Sequence, residues 1–449
     1  MALLEQHTLA ELPELVARLE QAFAALPEFA GSAPGLERMP RVLDEVAGRL
    51  GDNFPYFHPL YAGQMLKPPH PVARAAYALA TWINPNNHAL DGGRASSAME
   101  KEAVAAIAGM IGWKEHLGHL TGGGTMANLE ALWAAGRLAP GKTILASEQA
   151  HYTHERISGV LRLPFEKVAV DARGRMDLDA LETRAGAGDV GCVVATLGTT
   201  GAGAIDPLPG ILQLRNRFGF RVHVDSAYGG YFTLADNLGA DARAAFDAMA
   251  QADSVVIDPH KHGLQPYGCG CVLFRDPAVG ALYQHDSPYT YFSSRELHLG
   301  EISLECSRAG ASAVALWATQ RLLPLLPGGE FANGLSACRR AALAFTEMLT
   351  KDARFVVPFP PELDIVVWAP RAGSASAASA LSQRIFDEAA RRHLHLALIH
   401  LPVSFFASAW PDLVVDRPDI VCLRSVLMKP EHEHWIDEIW RRLSDATPQ

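Results

Sequence analysis

Five short apolar runs most constrain what this chain can fold into: TILAS (143–147), GCVVATLG (191–198), RVHVD (221–225), SVVID (254–258) and GCVLF (270–274). Each is rich in Val and Ile and apolar almost throughout, the pattern of a strand covered on both faces. Between them, segments such as LPGILQLRNRFG and DARAAFDAMAQAD space their apolar residues three and four apart, as amphipathic helices do. Strand alternating with helix predicts an α/β domain over 66–325, a mostly parallel sheet with helices on both faces. After Pro324-Leu325-Leu326-Pro327-Gly328-Gly329 the pattern changes to a helix (332–350), a strand (DIVVWA), a helix (SALSQRIFDEAARR), further strands and a closing helix (HEHWIDEIWRRL). This predicts a smaller α/β domain over 326–449. Residues 1–65 read as one or two helices followed by a passage dense in Pro, Gly and aromatics, FPYFHPLYAGQMLKPPHP. That passage is either an arm on a partner subunit or a loop packed on its own domain. The Ala/Ser-rich piece from Gly373 to Ala380 reads as a surface connection.

At 449 residues the chain is too long for one simple core. Its net charge of -10, with both signs mixed along the chain, argues against nucleic acid or an anionic membrane as a partner. No run of 18 or more apolar residues offers a membrane span. The N-terminal stretch has acidic residues where a secretory signal would be basic, so a cytoplasmic location is expected. Six scattered cysteines make neither a CxxC pair nor a zinc spacing, and read as buried free thiols in a reducing compartment.

Three segments carry chemistry. Leu120-Thr121-Gly122-Gly123-Gly124-Thr125 runs into the helical NLEALWAAGRL. Glycines there let amides converge on an anion at the positive end of a helix, a phosphate cradle. The same residues also fit an ordinary Gly-rich turn with Thr125 as N-cap. His223-Val224-Asp225-Ser226-Ala227 places a carboxylate at the carboxyl end of a buried strand, where ligands of such sheets collect, or where an Asp caps the next turn. Asp258-Pro259-His260-Lys261-His262 ends another apolar strand in a lysine flanked by histidines, suited to imine formation unless it is merely solvated. Together they supply a phosphate anchor, a carboxylate for a ring nitrogen and an amine for an aldehyde.

In order and context these segments resemble the group II pyridoxal-dependent amino-acid decarboxylases, which include aromatic amino-acid, glutamate and tyrosine enzymes. The resemblance covers about 50–445 and is carried by DPHK, HVDSAYGG, SEQAHYTHERISG and ATLGTTGAGAIDP, with ECSR and CLRSVL in support. It implies an aspartate-aminotransferase-like (fold type I) architecture with a seven-stranded type of large sheet, pyridoxal 5'-phosphate as cofactor and a homodimer. It implies that Lys261 holds the cofactor covalently and that Asp225 pairs with its ring nitrogen. Ala227 and His151 would cover the two ring faces, and Gly124, Thr125 and His260 would hold the phosphate. Thr200 and Asp206 would belong to the same pocket. Asp258 stands where several members have Asn, and is expected to turn away or cap a backbone group.

The resemblance further implies a proton donor on the loop HDSPYTYFSSRELHLGE, with Tyr289 and Tyr291 as candidates, and a role for His151 in catalysis. Arg424 corresponds to an arginine that binds substrate carboxylate in glutamate-type members, or else makes an interdomain ion pair. Arg308 is given the structural part. HxxHE at His151, His154 and Glu155 lacks a clear third ligand, so no metal is expected. The implied reaction is α-decarboxylation of an amino acid with an aromatic or acidic side chain. Alternatives are an aldehyde synthase coupling decarboxylation to oxidative deamination, and another lyase or transaminase of the same fold.

Overall fold

The computed structural model describes residues 4, 7–29, 31, 33–284 and 302–448. The large sheet has seven strands: β1 (Leu117–Thr121), β2 (Thr143–Ser147), β3 (Phe165–Val168), β4 (Val190–Thr196), β5 (Arg221–Asp225), β6 (Ser254–Ile257) and β7 (Gly270–Phe274). Their spatial order is β1-β7-β6-β5-β4-β2-β3, and only β7 runs against its neighbours. Every residue of β2, β4, β6 and β7 is buried, which is why those runs read as continuous apolar stretches.

Helices α1 (His7–Gln21), α2 (Met39–Leu50), α3 (Pro71–Thr81) and α4 (Leu90–Met110) precede the sheet. Along it follow α5 (Gly124–Leu138), α6 (Thr153–Leu161), α7 (Leu178–Ala185), α8 (Leu208–Phe218) and α9 (Ala240–Ala248), and then α10 (Gly310–Leu322). With α8 and α9 as crossovers, β4, β5 and β6 lie side by side and parallel, so their carboxyl ends open on one edge.

The second sheet is antiparallel, ordered β10-β11-β9-β8, from β8 (Phe355–Val356), β9 (Ile365–Pro370), β10 (Ala397–Pro402) and β11 (Asp419–Val426). It packs against α11 (Glu330–Lys351), α12 (Ala375–Arg391) and α13 (His432–Ala446) around a core of Phe345, Phe355, Trp368, Leu423 and Leu443. Trp368 meets Phe355 edge-on at 5.1 Å. The expected surface connection at 373–380 is in fact mostly the start of α12. Ser374 caps it by accepting from the Ala377 amide, and alanine is the best helix former once that cap exists.

Five cysteines are buried free thiols, but Cys306 is exposed. Among the described residues no helix is long and apolar enough to cross a membrane.

Two buried clamps position the site. The Pro-rich passage is pinned by His432, whose Nε2 bonds the Pro59 carbonyl at 2.9 Å while its Nδ1 accepts from the Lys429 amide at 3.2 Å. Asp206 is fully buried, its carboxylate accepting from the Met176 and Thr196 amides, each at 2.7 Å. The expectation that Asp206 belongs to the cofactor pocket is therefore corrected. Both its oxygens are spent on backbone, and burial pushes its carboxyl up to about 7.

Asp206→Ala is expected to cost about 2–4 kcal/mol in urea unfolding by orphaning two buried amides, without changing cofactor affinity per folded molecule. Burial also pushes the His432 and His223 imidazoles down to about 3. An unfolded chain takes protons at these histidines below about pH 6.5 and the folded chain does not. Their share of the stability is therefore expected to be full above that pH and to fall as pH drops toward 4, against an opposite and smaller trend from Asp206, whose raised carboxyl favours the folded state at low pH. His432→Gln should flatten part of that fall in melting curves.

Candidate active site

The first wall of the site is the turn from β1 into α5. Gly123 has φ +146°, which a side chain would resist, and a Cβ on Gly124 would sit 2.6 Å from Asp258 Oδ2. The Met126 and Ala127 amides turn back to the Gly123 carbonyl, so the open amides of the first turn are those of Gly124 and Thr125. The Thr125 hydroxyl lies 3.4 Å from that of Thr153. This is the anion-binding end of a helix. Glu305, which sequence reasoning did not select, borders the same space and accepts from the Gly122 amide at 2.9 Å.

The second wall is the carboxyl end of β5. Asp225 is buried, and Ala227 N–H donates to its Oδ1 at 3.1 Å. His154 Nε2 lies 2.8 Å from its Oδ2, and Asn128 Nδ2 lies 3.3 Å from the same oxygen. Behind them, His223 bonds Asn128 Oδ1 at 2.8 Å and Ser254 Oγ at 2.9 Å. Burial alone would raise the Asp225 carboxyl. The hydrogen bond from His154, with the Ala227 amide, outweighs it and holds the group well below the usual carboxylate range. The HxxHE pattern does not gather a metal set, since Glu155 turns to Lys167 at 2.7 Å.

Asn128, His154 and His223 were not singled out as site residues. A periodicity signal existed for two of them. His223 and Asp225 share one face of a strand, and Asn128 lies one helical turn after Gly124.

The third wall follows β6. Lys261 Nζ lies 3.0 Å from Asp258 Oδ2, and His260 Nε2 lies 3.6 Å from the same oxygen. Asp258 thus neither turns away nor caps backbone, as the sequence reading has it. It is buried beside the glycine turn, and its Oδ1 has no partner among the described residues. His260 bonds the Cys269 carbonyl through Nδ1 at 2.8 Å and stacks on Tyr267, with centroids 4.6 Å apart. Burial lowers its pKa.

These walls enclose one cavity of about 480 Å³, lined by Gly124, Thr125, His151, Thr200, Asp225, Ala227, His260 and Lys261 among others. Burial pushes the His151 imidazole down, and its Nδ1 accepts from the Thr153 amide at 3.3 Å. Tyr228 also lines the cavity, and its hydroxyl donates to Asp364 at 2.7 Å. His262, next to Lys261, lies 3.2 Å from the other Asp364 oxygen.

Arg424 is buried on β11, with Gln64 Oε1 3.0 Å from its Nη2, its Nε without a partner and no carboxylate in ion-pair range among the described residues. Among the described residues the interdomain ion pair considered for it is absent. Arg308 pairs with Glu100 at 2.6 Å and bonds the Asn87 carbonyl, so its contacts tie parts of the large domain together rather than bridging the two domains. Tyr289 and Tyr291 lie outside the described residues.

The cavity fits pyridoxal phosphate by the chemistry of its walls. Open amides and a hydroxyl suit the phosphate, an anionic carboxylate suits a protonated ring nitrogen, and a lysine amine suits the aldehyde. The sequence profile of the pyridoxal-dependent decarboxylase conserved domain matches residues 133–370, more than half of the chain, and takes in both Asp225 and Lys261.

An L-tyrosine decarboxylase of Enterococcus faecium is 28% identical over 78% of this chain and 76% of its own. An L-2,4-diaminobutyrate decarboxylase of Acinetobacter baumannii is 27% identical over 72% of this chain and 68% of its own. The fold is shared with Oryza sativa TDC, solved with PLP and tryptamine, at a TM-score of 0.78 and 18% identity, covering 99% of this chain and 98% of that one. This chain belongs to the family of pyridoxal-dependent decarboxylases.

Proposed function

We infer that this chain removes the α-carboxylate of an amino acid, with Lys261 as the amine that takes the cofactor and Asp225 as the partner of its ring nitrogen. The observation that carries this is the opening of both side chains, from neighbouring strand ends, onto one cavity closed by the glycine turn. Pyridoxal phosphate, when bound, supplies an aldehyde carbon and a ring that accepts the electron pair left at Cα.

The protein's part is to hold, orient and exclude water. Gly124, Thr125 and His260 anchor the phosphate end, while Ala227 and His151 bracket the ring. As an ammonium, Lys261 is held by Asp258. To act as a nucleophile it must give up a proton, and Asp258 Oδ2 at 3.0 Å is the acceptor within reach. His151, kept neutral by burial, is suited to move a proton at the substrate carbon. Thr200 completes the lining.

Arg424 is the proposed grip on a substrate carboxylate. A buried guanidinium with one amide partner leaves donors for a bidentate contact, and setting that carboxylate perpendicular to the ring selects the bond that breaks. Substrates with aromatic or acidic side chains are favoured, since tyrosine and aspartate stand in the names of several relatives.

A homodimer is proposed from α2, which buries none of its residues and leaves Val42, Leu43, Val46 and Leu50 exposed. A reducing, cytoplasmic setting suits the buried free thiols. The change of sheet between β7 and β8 supports a boundary near residue 325.

Lys261→Ala is expected to lose the visible absorbance of lysine-bound cofactor and to cut carbon dioxide release about 10³-fold or more. Wild-type protein that never acquires that absorbance would refute the assignment. Arg424→Gln should raise KM for the preferred substrate about 10–100-fold in a carbon dioxide release assay over tyrosine, dopa, aspartate, glutamate and diaminobutyrate. An unchanged KM would return Arg424 to a structural part.

A further inference from the structure

We infer that His154 is a positioning residue for Asp225, donating from Nε2 so that the carboxylate stays anionic and aimed at the ring nitrogen of the cofactor. The inference rests on reading the cavity as the pyridoxal phosphate site. His154 sits fully buried in the first turn of α6, three residues after His151, and makes no contact with the cavity itself. Its Nε2 is 2.8 Å from Asp225 Oδ2, and its Nδ1 has no partner among the described residues. A buried ring with one satisfied and one bare nitrogen is least costly as the neutral tautomer protonated at Nε2. The bare nitrogen is then a lone pair rather than an orphaned N–H on a charged ring.

The second donor to the same oxygen has a fixed polarity as well. If Asn128 were turned over, its carbonyl oxygen would face the Asp225 carboxylate and repel it. With Nδ2 toward Asp225, Oδ1 faces His223 Nε2 at 2.8 Å and requires a proton there. His223, neutral because burial holds it near 3, then has a lone pair at Nδ1 for the Ser254 hydroxyl at 2.9 Å. Ser254 donates to His223, His223 to Asn128, and Asn128 and His154 to Asp225. Every proton in this buried network points toward one carboxylate.

Each donation lowers the proton affinity of Asp225. A proton shared between Asp225 and a pyridine nitrogen therefore stays on the nitrogen, where it strengthens the ring as an electron acceptor. Without the His154 donor, Asp225 becomes the stronger base and draws that proton to itself. The packing of α6 alone would not have this effect.

The test compares wild type, His154→Leu, which removes the donor and keeps the bulk, and His154→Gln, whose side-chain amide reaches about as far as Nε2. Each is titrated with pyridoxal 5'-phosphate carrying ¹⁵N at the ring, followed by cofactor affinity and the ¹⁵N chemical shift between pH 6 and 9. His154→Leu is expected to bind about 10–100-fold more weakly, with the shift moved toward unprotonated pyridine. His154→Gln should recover both. Wild-type affinity and shift in a folded His154→Leu overturn the inference. So does weaker binding with an unchanged shift, or a His154→Gln that recovers neither, because either result marks a packing role only. If His154→Leu does not fold, His154→Asn, whose shorter arm withdraws the donor, carries the same prediction. Wild-type protein that binds no cofactor overturns the reading of the cavity, and the inference with it.

Discussion

A carboxylate buried at the end of a central strand is the constraint on which the rest of this structure turns. Ionised Asp225 without donors would cost several kcal/mol or give up its charge. Here it is satisfied from three directions, by Asn128 on α5, His154 on α6 and the amide of Ala227 just beyond β5. Because α5 also carries the glycine turn at its start, the helix proposed to anchor a phosphate is the one that helps hold the carboxylate. Anchor and carboxylate are thereby set at a fixed spacing by the packing of one helix on one sheet.

Parallel order at the sheet centre does the remaining positioning. β5 and β6 are neighbours in register, so the segments leaving them deliver Asp225 and Lys261 to the same edge. Asp364, fully buried just before β9, receives Tyr228 from one of those segments and faces His262 from the other. The smaller sheet is thus tied to the cavity wall through a shared carboxylate. Arg424 of β11 bonds Gln64 of the Pro-rich passage, which His432 pins in place, and neither residue is among those lining the cavity.

What was legible in the sequence follows from where each signal lives. The five central runs were readable as strands because burial on both faces leaves little polar interruption, His223 in β5 being the one histidine among them. β3, with Glu166 and Lys167 exposed at the sheet edge, carried no such signal, and β1 hides behind a glycine and a buried histidine, His119, paired with Glu130 at 3.1 Å. Lys261, Asp225 and the glycine turn were legible because their chemistry is local to a few residues at a strand or helix end. The partners that give Asp225 its charge come from 71 and 97 positions away, and Gln64 meets Arg424 across 360. No local pattern encodes such distances. Asp206 was misread for a related reason, since its motif context resembles the pocket while its oxygens are consumed by backbone amides.

The central claim, that Lys261 and Asp225 grip opposite ends of one pyridine ring, is tested most directly by trapping. Protein saturated with pyridoxal 5'-phosphate, reduced with borohydride and digested, should carry one pyridoxyl group per chain, on the peptide containing Lys261. Substituting Asp225 by Ala should sharply reduce its yield at limiting cofactor. Label on another lysine, or label at Lys261 that forms equally well without the Asp225 carboxylate, would contradict the account.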